Sequence, residues 1–125
     1  MKILLVEDDD EVRELTIQLL TSLGYPFIAA SNGPSALVAL EGDPEIEILL
    51  SDIIMPERMS GFELAAEAKR RRPDIATVLI SGFVGHIPRT GLYQNRQYEV
   101  LKKPFSEAEL SRALIRALTE RRMGF

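Results

Sequence analysis

"KILLVEDDD" (Lys2–Asp10) runs four apolar residues straight into four acids, Glu7, Asp8, Asp9 and Asp10. An unbroken apolar run of this length suits a strand buried on both faces, as in a parallel sheet lying between helices. Like charges stacked at the end of such a strand repel each other. Either they are solvated or a cation belongs among them.

The pattern recurs along the chain. Apolar runs at Lys2–Val6, Phe27–Ala30, Ile46–Ser51, Thr77–Ser81 and Glu99–Lys102 predict five strands. Helical spacing falls between them. Val12, Leu15, Leu19, Leu20 and Leu23 predict one apolar stripe, closed by Gly24. Asn32-Gly33-Pro34 opens a second helix, with Ala36, Leu37 and Leu40 as its stripe and Gly42 at its end. A third spans about 61–71 and stops before Pro73. Ser106 and Glu109 form a capping box for the last, with Phe105 and Leu110 as its hydrophobic staple. Between Ser81 and Glu99 the segment "GFVGHIPRTGLYQNRQY" carries three glycines and a proline, so the helix expected there is irregular or shortened, with Leu92 or Tyr93 as its anchor.

Alternating strands and helices argue an α/β fold built on a parallel sheet, as one domain over residues 1–125. Apolar residues make up 46% of the chain and charged ones 27%, an ordinary globular balance. No apolar stretch approaches the roughly 18 residues of a membrane span. There is no cysteine, which excludes disulfides, zinc–thiolate sites and cysteine nucleophiles. The expected compartment is the cytoplasm. A net charge of −4 disfavours non-specific nucleic-acid binding, and Lys69–Arg72 reads as a solvated helix end complementing the dipole. The one histidine, His86, is too isolated for a zinc site. Met55 and Phe105 are expected to pack, and Lys102 to lie at the surface.

Ligands of such sheets bind at the carboxyl ends of the strands. There the chain sets Glu7 and Asp8, Asp52, Ser81 and Lys103. Three carboxylates make an oxygen-rich pocket suited to magnesium. With a lysine and a hydroxyl added, the set describes phosphoryl transfer onto a carboxylate. Asp52 is the candidate nucleophile, with Lys103 and Ser81 as phosphoryl ligands. Asp9 and Asp10 fit the positive end of the first helix dipole instead.

In order and spacing, "LLVEDD", "LLSDIIMP", "VLISG" and "LKKPF" resemble the response-regulator receiver domain of two-component signalling, over essentially the whole chain. The resemblance implies a flavodoxin-like five-stranded sheet of order 2-1-3-4-5, with Asp52 taking phosphate from a sensor histidine kinase or histidine phosphotransfer protein. It further implies magnesium held by Asp8, by Glu7 largely through water, by Asp52 and by the backbone carbonyl of Ile54. Ser81 matches the switch hydroxyl, and Lys103 precedes an expected cis peptide to Pro104. The residues two beyond the acceptor and two beyond the switch hydroxyl, which influence water attack, are Ile54 and Phe83. Val100 stands where many receivers carry a switch aromatic, and "ERMS" before Gly61 makes that loop one residue longer than the commonest form, as in receivers on or beside hybrid kinases. Because the chain ends at Phe125, a single-domain switch acting on a protein target, with no nucleic acid or membrane partner, is expected. The resemblance makes it a signalling protein that catalyses only its own phosphorylation and dephosphorylation. Two alternatives use related parts. A haloacid-dehalogenase-type phosphatase wants D-x-D-x-T/V after its first strand and a cap. A flavin-binding module wants a Ser/Thr/Gly phosphate loop where this chain has acids.

Overall fold

The structure is a computed structural model and describes residues 1–55, 59–82 and 98–122. Five strands, β1 (Lys2–Val6), β2 (Phe27–Ala30), β3 (Ile46–Asp52), β4 (Ala76–Ser81) and β5 (Glu99–Lys102), form one sheet of order β2-β1-β3-β4-β5. Every pairing is parallel. The four helices described are α1 (Asp10–Leu23), α2 (Gly33–Gly42), α3 (Gly61–Arg71) and α4 (Glu107–Arg122). This is the flavodoxin-like architecture expected from the sequence. The irregular helix expected before β5, with Phe83, His86, Leu92 and Tyr93, lies outside the described residues.

The apolar runs are unbroken because both sheet faces are covered. On one face Ile3, Leu5, Ile48, Leu50, Val78 and Ile80 pack with Leu20 of α1 and Leu110, Ala113 and Leu114 of α4. On the other, Leu4, Val6, Leu49 and Leu79 pack with Leu37 and Leu40 of α2 and Leu64, Ala65 and Ala68 of α3. Ile46 and Ile48 reach opposite faces although two residues apart, because the β1–β3 register shifts beside Glu47. Val100 and Tyr98 both pack on the α2/α3 side, where the Tyr98 ring meets Phe62 with centroids 6.3 Å apart and planes tilted by 50°.

Helix ends follow local chemistry. Asp9 caps α1 by accepting from the Glu11 and Val12 amides, and Gly24 closes it at φ 84. Asn32 caps α2 through the Ser35 amide. Ser106 and Glu109 exchange both capping-box bonds. Ser60 and Glu63 form a second box before α3, which the sequence reading missed.

Gly42 ends α2 as expected, with Asp43 as the cap residue. Two expectations need correction. Leu15 is exposed, because the buried line of α1 runs through Thr16 and Leu20, one residue or about 100° round the helix. Arg72 is not a solvated helix end. It caps α3, and its guanidinium donates to the carbonyls of Leu40, Asp43 and Ile46, tying α2 to β3. Its neighbours Arg70 and Arg71 pair with Glu67.

Candidate phosphoacceptor site

The carboxyl ends of β1, β3, β4 and β5 converge, and the candidate residues meet there. β3 runs one residue past Ser51, so Asp52 pairs in register with Ile80 at the sheet's end. Asp52 is buried, as are Glu7 and Ser81. Carboxylate oxygens of Glu7, Asp8 and Asp52 all lie within 4.8 Å of one another. Lys103 enters from the end of β5, just before a cis peptide bond to Pro104 and with its amide donating to the Ser81 carbonyl. Its Nζ stands 3.3 Å from Glu7 Oε1, 3.1 Å from Asp52 Oδ1 and 3.3 Å from Asp52 Oδ2. Lys102 points to solvent, and Met55 is buried in the α2/α3 core, as expected.

One lysine cannot satisfy two buried carboxylates. Among the described residues, Glu7 Oε2 and Asp52 Oδ1 are buried with no hydrogen-bond donor, Lys103 Nζ being near Oδ1 but out of hydrogen-bond geometry. Burial first, and then Asp52 as hydrogen-bond partner and like charge, pushes the Glu7 carboxyl up to about 8, against the opposing pull of Lys103. Burial disfavours the Lys103 ammonium, but Asp52 and Glu7 outweigh it and hold its pKa above the ordinary value. The pocket therefore carries surplus negative charge that a proton or a cation must balance. An oxygen-rich donor set with orphaned buried oxygens fits a hard divalent cation.

Two residues that shape the site were not singled out from the sequence. Gly61 lies so close under the Asp52 backbone that a Cβ there would sit 2.1 Å from the Asp52 carbonyl oxygen, and its amide donates to the Ile53 carbonyl at 2.7 Å. Arg13 donates to the Glu7 carbonyl at 2.8 Å. Neither leaves a sequence signal beyond a glycine at a helix start and an arginine in a first turn. Ile54 is 61% exposed beside Asp52.

The family model described as the response regulator receiver domain matches residues 3–115. The chain belongs to the response regulator receiver family. This receiver is 38% identical over 109 residues to "Response regulator receiver protein CpdR" of Brucella abortus (strain 2308), covering 87% of this chain and 89% of that one. It is 36% identical over 110 residues to "Sensor kinase CckA" of the same organism, covering 87% of this chain but 12% of the kinase. Among solved structures, the receiver domain protein from Clostridium thermocellum superposes with a TM-score of 0.86 at 25% identity, covering 99% and 98% of the two chains. The receiver protein from Sinorhizobium medicae WSM419 gives 0.80 at 26% identity, covering 97% and 96%. No described helix is long and apolar enough to cross a membrane.

Proposed function

We propose that this receiver accepts a phosphoryl group on Asp52 from a phosphohistidine and passes the signal on through a conformational change. The observation that carries the reading is the Asp52 carboxylate, buried at the end of β3 within ion-pair distance of Lys103 and beside Glu7 and Asp8. A carboxylate oxygen of Asp52 attacks phosphorus as the P–N bond to the donor imidazole breaks, and the imidazole, already protonated on its other ring nitrogen, takes the bond's electron pair and leaves neutral. Lys103 holds a phosphoryl oxygen and offsets the charge it brings, and the Ser81 hydroxyl supplies a donor to another. Asp8, Asp52, the Ile54 carbonyl and, largely through water, Glu7 would hold magnesium. When bound it would neutralise charge that otherwise repels phosphate.

The kinase-named relative supports a histidine kinase or histidine phosphotransfer protein as donor. So does a groove of about 390 Å³ lined mainly by apolar groups of Val12, Leu15, Leu19, Pro104 and Phe105, with Lys103 on its wall. We assign it to the donor, whose phosphohistidine must be held in line with Asp52 by a surface adjoining the site. The exposed Leu15 then has a use that burial does not give it. The downstream target is a protein, and the cytoplasm is the compartment this chemistry needs.

Incubation with acetyl phosphate and magnesium tests the reading. One acid-labile phosphoryl group per chain, held after excess donor is removed, is the expected result. Continuous multiple turnover favours a phosphatase, and no adduct in the presence of magnesium overturns the proposal.

A further inference from the structure

We propose that Arg13 is a positioning residue for the metal-binding carboxylates, holding the peptide that aims Asp8. This rests on the reading of Glu7, Asp8 and Asp52 as a magnesium site. The backbone of Glu7 is held on both sides. Its amide donates to the Ala30 carbonyl at 3.1 Å, and its carbonyl accepts from Arg13 Nη1 at 2.8 Å. That carbonyl belongs to the peptide unit joining Glu7 to Asp8, so the guanidinium fixes the plane from which the Asp8 side chain departs. The same guanidinium reaches Asp10 through Nη2 at 2.6 Å, and the Arg13 amide donates to the Asp9 carbonyl at 2.9 Å. One residue of the first turn of α1 thus grips the acid turn at residues 7, 9 and 10.

The two halves of the grip are not equal. Asp10 is 88% exposed, and a surface pair of that kind contributes little. Arg13 is itself mostly covered, and its bond to the Glu7 carbonyl is charge-assisted and linked to the strand end. A forked guanidinium can make both bonds from one orientation, which a lysine ammonium cannot.

The sign of the effect separates this role from a plain electrostatic one. Arg13 is a cation near a cation site, so by charge alone its removal tightens magnesium binding. As a positioning residue, its removal weakens binding. Magnesium chloride is titrated calorimetrically into the full chain without any phosphodonor, beside thermal melts in metal-free buffer. Arg13→Ala is expected to weaken binding about ten-fold, the range seen when outer-shell partners of metal ligands are removed. Arg13→Lys, with the charge kept, is expected to weaken it several-fold, and Asp10→Ala to leave it close to wild type. Wild-type or tighter binding by Arg13→Ala overturns the assignment. If that variant does not fold, wild-type affinity in Arg13→Lys overturns it. Asp8→Ala is the control. If wild type binds no magnesium, or Asp8→Ala binds it equally well, the reading of the metal site fails. If that control behaves and only the Arg13 variants match wild type, the positioning role alone fails.

Discussion

Glu7 is the residue where burial and charge conflict most. Its ordinary carboxyl pKa is 4.5, and in the fold it rises to about 8. Across that window the folded state holds a proton that the unfolded chain does not, so the contribution of this group to stability falls as pH rises from 4.5 towards 8. In chelator-treated protein, urea unfolding should show this loss, and Glu7→Gln should flatten it. A wild-type profile as flat as that of the variant would remove the conflict. Magnesium competes with the same proton, so its affinity should rise between about pH 6 and 9 with proton release on binding. Gly61 is constrained by space instead. A methyl group 2.1 Å from a backbone oxygen has no flexible neighbour to displace. Gly61→Ala should therefore destabilise by about 3 kcal/mol in urea titration and slow phosphorylation of Asp52. Wild-type stability would mean the two backbones are not pressed together. Ile54, exposed and unable to orient water through its side chain, is expected to protect the phosphoryl group. Loss of phosphate followed by phosphorus NMR should be faster in Ile54→Asn, and an unchanged rate would count against the shielding.

Elements were legible in the sequence where their signal is local. Strand runs, the Asp9 and Asn32 caps and the Ser106–Glu109 box each follow from neighbours a few residues apart. Apart from the local Ser60–Glu63 box, what stayed hidden depends on partners distant in the chain. Arg72 reads as one cation in a basic run, yet it bonds carbonyls 26 to 32 residues earlier. Removing it leaves those carbonyls at the α2–β3 connection without their charged donor. Arg72→Ala should cost about 2–3 kcal/mol in chemical denaturation, whereas Arg70→Ala, which removes a surface pair with Glu67, should cost little. Equal effects from the two would show that the carbonyl bonds are not what Arg72 contributes. Leu15 misled for a related reason. Its spacing fits an apolar stripe, but a groove edge carries the same spacing as a core face.

At the scale of the whole molecule, topology turns scattered residues into a site. Position 7 meets position 103 across 96 residues because β1 and β5 share one parallel sheet, so their carboxyl ends open at the same side. Glu7, Asp8, Asp52, Ser81 and Lys103 were legible as a set because that rule fixes where strand ends lie. Gly61 and Arg13 were not, since they act on the backbone beneath the set and not in it. The account stands on Asp52 as phosphoacceptor, and borohydride trapping tests that most directly. Reduction converts an aspartyl phosphate to homoserine, which peptide mass mapping locates. After acetyl phosphate and magnesium, the account predicts homoserine at position 52 and none in Asp52→Asn. Homoserine at Asp8 or elsewhere in wild type, or undiminished labelling in Asp52→Asn, would contradict it.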